Sequence, residues 1–261
     1  MIFHIENRLC YTFKTVPLIP DLKGGRKIEN SNNMPLLPHT ILKVLVGSHA
    51  HGLATPDSDR DYRSVFVLPT EDMFKLGFKP PSTQWTKGQT DETAWEVSAF
   101  LTLAIQGHPL VLETFLAPIE QADFWGQRLR SLFPDVWSSE KAFESFVNYA
   151  HNQRQKFLEK KDGRPEKYAT AYLRVLQNLC ELLETGTFTI RIAPTELGKK
   201  ILAIKRREYR TGEVIDLGEN LLFAAQKLRT TSSHSENLDR INSFLINLRR
   251  EHLANPQPNE S

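Results

Sequence analysis

The sequence contains few cysteines, almost no net charge and no long apolar run, and each of these features excludes a class of protein. Its 261 residues contain two cysteines, Cys10 and Cys180, too few for a disulfide framework or for a zinc site built from cysteines. The 33 lysines and arginines nearly balance the 31 aspartates and glutamates, so bulk charge predicts no polyanionic partner. No apolar run approaches the roughly 18 residues that a membrane span needs. We therefore expect a soluble protein of the reducing cytoplasm with no membrane partner.

What the sequence does contain is ordinary globular composition, with 40% hydrophobic and 25% charged residues. Proline, glycine and a polar run dominate residues 1–34, so we expect a flexible N-terminal extension there. Residues 35–138 are expected to form the domain that carries the chemistry, and residues 139–254 a helical domain. The proline-containing tail at 255–261 should be disordered.

The two central segments differ in hydrophobic periodicity. Between residues 41 and 117, short apolar runs alternate with turn signals and predict strands at Ile41–Val46, Tyr62–Leu68 and, more weakly, Thr93–Val97. From about Ser139 the apolar residues recur at helical spacing, and Gly186 has the position of a helix C-cap. A sheet-containing half is therefore expected to precede an all-helical half.

One segment combines several features of a phosphate-binding site. Gly47 and Ser48 directly follow the first predicted strand, where a short helix can begin. Glycine lets the backbone approach a ligand closely, and the N–H groups of a helix start, together with a serine hydroxyl, favour a phosphate. Asp59 and Asp61 lie two apart at the start of the next predicted strand, and period two would place both carboxylates on one face. Mg²⁺ suits such a pair because it takes carboxylate oxygens plus substrate phosphates.

Each part of this segment is common in proteins without such chemistry. A lone Asp-x-Asp is usually a turn or a cap, and a lone Gly-Ser is usually a turn. The conjunction of strand, Gly-Ser, a second glycine, Ser-Asp-x-Asp and a second strand favours a functional site. A phosphate-binding turn beside paired carboxylates indicates nucleotidyl transfer, in which two metal ions about 3.5–4 Å apart stabilise the attacking and leaving oxygens.

The residues also resemble a known family. Gly47-Ser48 with Ser58-Asp59-Arg60-Asp61 resembles the signature of the DNA polymerase β nucleotidyltransferase superfamily. The fuller run Gly-Ser-x-Ala-x-Gly-Leu-Ala-Thr-Pro-x-Ser-Asp-x-Asp-x-Arg is similar to its bacterial and phage branch associated with RNA repair. Phe100–Pro109 resembles that branch's helix ending in Gly-Asn-Pro, with His108 in place of the asparagine, and Leu112-Glu113 matches its Leu-Glu.

The resemblance implies an α+β fold in which a small mixed sheet flanked by helices is followed by an all-helical domain. It implies that Gly47, Ser48 and Ser58 contact the nucleoside triphosphate. It also implies that Asp59 and Asp61 are catalytic carboxylates that bind Mg²⁺, with two ions expected.

The family further implies a third carboxylate on a later strand, which aids the acceptor hydroxyl. Asp91 fits the branch's spacing to Phe100, and Glu92 and Glu96 are the alternatives. On one strand Glu92 and Glu96 would share a face opposite to Asp91, so only one of the two sets can point at the metals.

Several cations are candidates for contacts with phosphate. Lys167 and Arg174 share one side of a predicted helix, and the resemblance makes phosphate binding as good an interpretation as a solvated face. The densest basic stretch is Lys199–Arg210, where interleaved apolar residues predict an amphipathic helix. Such a stretch is usually a solvated face, and an RNA-binding groove is the alternative.

His49 and His51 have a spacing that would place both on one side of a strand. Two histidines leave a zinc site incomplete, so local polar contacts are favoured over metal binding. The four tryptophans are expected in the core: Trp85, Trp95, Trp125 and Trp137.

Taken together, the sequence predicts a Mg²⁺-dependent nucleotidyltransferase that moves a nucleoside monophosphate from a nucleoside triphosphate to an acceptor hydroxyl, with an RNA end as one possible acceptor. Two alternatives stay open. One is a non-catalytic nucleotide- or RNA-binding module on the same fold, and the other is a transferase acting on a protein or a small molecule. Neither the acceptor nor the nucleotide follows from the residues.

Overall fold

The computed structural model describes residues 39–78, 83–86 and 91–254, and at 83–86 and 91 it describes the backbone alone. All of these residues belong to the unit Pro35–Ser261. The extension expected at 1–34 and the tail expected at 255–261 lie outside the described residues, as do the side chains of Trp85 and Asp91.

Within the described chain, five strands form one mixed sheet in the order β3-β4-β2-β1-β5. The strands are β1 (Thr40–Val46), β2 (Asp61–Phe66), β3 (Thr83–Thr86), β4 (Asp91–Glu96) and β5 (Ile119–Ala122). Strand β2 is antiparallel to β1 and parallel to β4, and β5 pairs with the other edge of β1. The α+β class and the small mixed sheet are therefore confirmed.

The sheet is larger than the sequence pattern indicated. All three predicted strands fall between residues 41 and 117, whereas the sheet also includes β5 (Ile119–Ala122), which lies beyond them. Neither β3 nor β5 was predicted, since each has only four residues and β5 lacks an apolar alternation. Strand β4 ends at Glu96, and Val97, expected at the end of the strand, begins a helix instead.

Ten α-helices are described, and from Ser139 onward every regular element of the described chain is helical. Pro109 occupies the first turn of α4, where its missing N–H has no partner to lose, and Gly186 ends α7 in the left-handed region with φ 79°. The helices are α1 (Gly47–His51), α2 (Thr70–Met73), α3 (Val97–Ile105), α4 (Pro109–Leu116), α5 (Phe124–Ser131), α6 (Ser139–Leu158), α7 (Pro165–Thr185), α8 (Glu196–Lys205), α9 (Thr211–Thr231) and α10 (Leu238–Ala254).

A continuous hydrophobic core joins one face of the sheet to the long helices. Side chains at alternating positions of β1 and β2 enter it, among them Val44, Val46 and Val65. Trp95, Trp125 and Trp137 are buried in the same core, as the sequence predicted.

The domain boundary expected at residue 138 stays a prediction. None of the described helices alone has the length and apolarity that would let it cross a membrane.

Candidate active site

The candidate site lies where three strands bring their motif-bearing ends together. Val46, the last residue of β1, pairs with Asp61, the first residue of the antiparallel β2. Asp61 also pairs with Asp91, the first residue of the parallel β4. Gly47 and Ser48 follow Val46 as the start of α1. The sheet therefore gathers residues 47, 48, 61 and 91 at one end of three neighbouring strands.

Gly47 is required by the carboxylate that packs against it. Its φ is +66°, a conformation that glycine adopts readily, and a Cβ built at this position would overlap Oδ2 of Asp61. The absence of a side chain at 47 thus makes the space that the Asp61 carboxylate occupies. The sequence assigned this glycine to close approach of a ligand, whereas in the structure the group that approaches is Asp61.

Asp59 is not part of the strand that Asp61 begins. It is exposed in the loop between α1 and β2, two residues before the start of the strand. Strand periodicity therefore does not place Asp59, because regular β-structure starts only at Asp61, and the convergence of the two carboxylates stays a prediction. The position of Asp59 is set instead by contacts within the loop.

Ser58 holds this loop together. Its Oγ accepts a hydrogen bond from the backbone N–H of Thr55 at 2.8 Å and lies 3.0 Å from Thr55 Oγ1, while its own N–H donates to the Thr55 carbonyl at 3.0 Å. His49 Nε2 donates to the Ser58 carbonyl at 3.0 Å. The Ser58 hydroxyl predicted to contact the nucleotide is thus engaged in a turn that positions Asp59. His49 makes the local polar contact that was favoured over zinc, on a helix rather than on a strand.

The segment after α7 supports the same loop from the helical half. The backbone N–H of Ala193 donates to the His51 carbonyl at 3.1 Å. Leu53 packs in a small cluster with Ile192 and Ile201, and Lys205 Nζ donates to the Leu53 carbonyl at 2.8 Å. These contacts fix His51 and Leu53, where the loop that carries Asp59 begins.

Two of the three candidates for the third carboxylate have other partners. Glu92 accepts from Lys43 Nζ at 2.9 Å and from Ser64 Oγ at 2.5 Å, on the sheet face opposite to Asp61. Glu96 is 2% exposed, caps α3 by accepting from Ser98 N at 2.7 Å, and pairs with Arg249. Asp91 remains the best candidate, because its backbone is the register partner of Asp61.

A buried ionic cluster lies beside the site, which we call the Glu113 cluster: Glu113, Arg63, Arg174 and His51. Glu113 on α4 is 1% exposed and accepts from Arg63 Nη1 at 2.7 Å and from Arg174 Nη1 at 2.8 Å. Nε2 of His51 lies 3.2 Å from Glu113 Oε1, and its Nδ1 donates to the Ile190 carbonyl at 3.1 Å. The cluster thus connects β2, α1, α4 and α7.

Burial and charge set the protonation states of the cluster. Burial alone would raise the pKa of Glu113, but the guanidiniums of Arg174 and Arg63 outweigh it and lower the pKa to about 2. Burial, followed by the charge of Arg174, lowers the pKa of His51 to about 4, although Glu113 favours the protonated ring. Near neutral pH the Glu113 carboxylate is therefore ionised between the two guanidiniums.

Arg174 and Lys167 were both predicted to contact phosphate, and the structure separates them. Arg174 is 7% exposed, and its Nη1 is bonded to Glu113. It is therefore the partner of a buried carboxylate, and its contact with phosphate stays a prediction. Lys167 is exposed near the start of α7, about 10 Å along the helix from Arg174 at 1.5 Å per residue.

Sequence reasoning matched Glu113 to the family but missed its partners. The available signal was a carboxylate inside the apolar helix Pro-Leu-Val-Leu-Glu-Thr-Phe-Leu, because a buried acid requires a cation. His108, the position where the family has asparagine, caps α4 without a side-chain bond, and its buried Nδ1 has no hydrogen-bond partner in the described residues. Burial, followed by the charge of Arg63, lowers the pKa of His108 to about 4.

The basic stretch Lys199–Arg210 is partly neutralised by nearby acids. Lys199 pairs with Glu196 at 2.5 Å, Arg206 with Glu208 at 2.5 Å and Arg207 with Glu166 at 2.7 Å. The Nζ of Lys205 donates a hydrogen bond to the Leu53 carbonyl. Lys200 and Arg210 are exposed and form no ion pair within the described residues.

The carboxylates fit Mg²⁺ as part of a site completed by substrate. In the described part of the chain, no group of three or more His, Cys, Asp or Glu side chains forms a ready-made metal site. Mg²⁺ binds through one or two carboxylates plus substrate phosphates, and the oxygen donors of Asp59 and Asp61 match that requirement. The space that Gly47 leaves for Asp61 keeps one of these carboxylates at the strand end.

Comparisons with known proteins agree with the motif. A family model described as "RNA repair pathway DNA polymerase beta family" matches residues 25–255. An "Uncharacterized 38.9 kDa protein in nrdC-mobD intergenic region" of Enterobacteria phage T4 is 28% identical over 135 residues, which are 45% of this chain and 38% of the phage protein. The chain therefore spans well under half of that relative's length.

Two further proteins match over most of their length. "Uncharacterized protein YcgL" of Bacillus subtilis (strain 168) is 25% identical over 226 residues, 82% of this chain and 83% of that protein. A solved structure of a nucleotidyltransferase-like protein from Exiguobacterium sibiricum 255-15 aligns over 82% of this chain and 75% of its own, with a TM-score of 0.29 and 11% identity. The family match, which covers nearly the whole chain, decides the assignment: the protein belongs to the RNA repair pathway DNA polymerase beta family.

Proposed function

We propose that the protein is a Mg²⁺-dependent nucleotidyltransferase, which moves a nucleoside monophosphate from a nucleoside triphosphate to an acceptor hydroxyl and releases pyrophosphate. The observation that carries the proposal is the register of the sheet. It brings Gly47, Asp61 and the backbone of Asp91 to one end of three adjacent strands. Family membership supports the same reaction class.

In this proposal each residue has a defined role. Asp59 and Asp61 hold Mg²⁺, which when bound neutralises phosphate charge at the reacting centre. Ser48 and the Gly47 backbone hold the triphosphate. Asp91 accepts the proton of the acceptor hydroxyl, since a general base must lie within reach of that proton. Ser58 and His49 act on the loop that carries Asp59 rather than on the substrate.

A transfer assay tests the reaction. The full chain is incubated with Mg²⁺, with each α-labelled nucleoside triphosphate in turn, and with an RNA pool, the protein itself and glycerol as hydroxyl donors. We expect label on one class of acceptor and one pyrophosphate released per nucleotide joined. Saturable binding of a triphosphate without transfer to any acceptor would contradict the proposal and favour a non-catalytic binding module.

RNA is the acceptor that we propose first, with the basic stretch Lys199–Arg210 as its contact surface. The ion pairs within this stretch limit the cations that can meet phosphates, so Lys200 and Arg210 carry the prediction. Exposed cations that neutralise phosphates release counterions, and affinity for single strands then falls with a log–log salt slope of about −0.7 per contact.

Replacing Lys200 and Arg210 by alanine should therefore weaken binding of single-stranded RNA and flatten the salt slope by about 1.4, for all RNA sequences alike. The control is Lys227→Ala with Arg250→Ala. Lys227 and Arg250 are exposed cations on α9 and α10 without an ion pair in the described chain. Their substitution removes two positive charges, as the substitution of Lys200 and Arg210 does. RNA binding that is absent at low salt, or that falls equally in both variants, would direct the search to a protein or small-molecule hydroxyl.

A further inference from the structure

We propose that the Glu113 cluster sets the divalent-cation affinity of the neighbouring carboxylate site. Glu113 is the positioning residue, because it holds Arg63 and Arg174 in place and limits the positive charge beside Asp61. The inference rests on the Mg²⁺ site of the proposed function and deepens it, since it adds a control on that site by side chains that do not contact the ion.

The cluster borders the site on two sides. Arg63 follows Asp61 by two residues on β2 and shares its face, because the register partners of the two are Val44 and Val46 on β1. At about 3.3 Å per residue, their Cα atoms are about 6.6 Å apart. His51 ends the helix that Gly47 begins, and its Nε2 lies 3.2 Å from Glu113. Arg174 reaches the same carboxylate from α7.

The cluster carries an excess of positive charge. Arg63 and Arg174 contribute two positive charges and Glu113 one negative charge, so these three side chains sum to +1. The side chains of Arg63, Arg174 and Glu113 are 13%, 9% and 2% exposed, so water screens this charge poorly. The affinity of a cation bound at Asp61 therefore depends on whether Glu113 neutralises one of the two guanidinium charges.

The expected effect is measurable. At about 10 Å, one unit of charge acting on a divalent ion changes its affinity about fourfold even at the dielectric constant of water, and more at the lower effective values near buried groups. Glu113→Gln raises the cluster to +2, Arg174→Gln lowers it to zero, and the double variant restores +1. A purely structural role would instead weaken the site in both single variants and most in the double variant.

The test titrates the folded full-length protein with Mn²⁺ alone and follows free Mn²⁺ by electron paramagnetic resonance, with circular dichroism melts as a check on folding. We expect Glu113→Gln to bind Mn²⁺ at least about fourfold more weakly and Arg174→Gln about fourfold more tightly. The double variant should lie within about twofold of the natural protein, because its cluster charge is the same. If Glu113→Gln fails to fold, the Arg174→Gln variant alone tests the proposal: tighter Mn²⁺ binding supports it, and weaker or unchanged binding contradicts it.

Glu96→Gln is the matched control. Glu96 is also buried and paired with an arginine, but it follows Asp91, the register partner of Asp61, by five residues on β4, about 16 Å away along the strand. Its removal should change Mn²⁺ affinity less than that of Glu113. Suppose that Mn²⁺ binding requires Asp59 and Asp61 but has the same affinity in all the cluster variants, or is weaker in Arg174→Gln. Either result would overturn this inference and leave the proposed metal site intact. Binding that the Asp59→Asn/Asp61→Asn variant retains would overturn the metal site itself and this inference with it.

Discussion

Replacing both Asp59 and Asp61 by asparagine should abolish nucleotide transfer, with a fall in rate of at least about a thousandfold. Removal of even one preorganised electrostatic group from an active site lowers kcat by about 10²–10³. The substitution keeps size and shape, so the packing of position 61 against Gly47 is retained and the protein should fold. The measurement is the label-transfer assay, with circular dichroism to show that the variant is folded.

Asp57→Asn is the matched control for this result. Asp57 is an exposed acid in the same loop, two residues before Asp59, and its substitution removes one negative charge where the double variant removes two. Its rate should stay within about twofold of the natural protein, as surface changes away from special features have small effects. Natural rates in the Asp59→Asn/Asp61→Asn variant would end the proposal that these carboxylates bind the catalytic metals.

The parts of the fold that could be predicted from sequence are those with a strong local pattern. Strand β1 is a run of buried, largely β-branched residues, and α7 combines helical periodicity with a glycine at its C-cap. Strands β3 and β5 have four residues each and are stabilised by pairing with the neighbouring strands β4 and β1. Their own sequences therefore contain no pattern that predicts a strand. The sequence therefore predicts the class of fold better than the extent of its sheet.

The candidate site divides in the same way. The motif placed Gly47 and Asp61 correctly at adjacent strand ends, because both follow from where β1 stops and β2 starts. The roles of Ser58 and Arg174 depend on partners that local pattern does not identify. Ser58 is taken up by a turn with Thr55, and Arg174 by a carboxylate 61 residues away in the chain.

This difference bears on how such motifs are interpreted. Ser58 stands inside the motif and Arg174 in the helical half, and both form hydrogen bonds within the folded chain, Ser58 with Thr55 and Arg174 with Glu113. A family resemblance identifies positions that matter. Whether a position binds substrate or supports a residue that does is decided by the hydrogen bonds of the folded chain.

The second large effect is expected at Gly47. A Cβ at this position would overlap the Asp61 carboxylate, so Gly47→Ala should displace Asp61 from the strand end. A misplacement of about 1 Å at a reacting centre lowers the rate about a hundredfold. The left-handed conformation with φ +66° adds a strain of about 1–2 kcal/mol for any residue with a Cβ. We therefore expect a large loss of transfer activity together with a modest loss of stability, measured by the label-transfer assay and by thermal melts.

Gly163→Ala separates these two contributions. Gly163 has the same φ of +66°, but no atom lies within 4 Å of a Cβ built there. Its substitution carries the backbone strain without the collision, so it should lower the free energy of unfolding by about 1–2 kcal/mol and leave transfer unchanged. If Gly47→Ala matched Gly163→Ala in both stability and rate, the packing of Gly47 against Asp61 would have no part in the reaction. A loss of activity confined to Gly47→Ala would tie the reaction to the position of the Asp61 carboxylate.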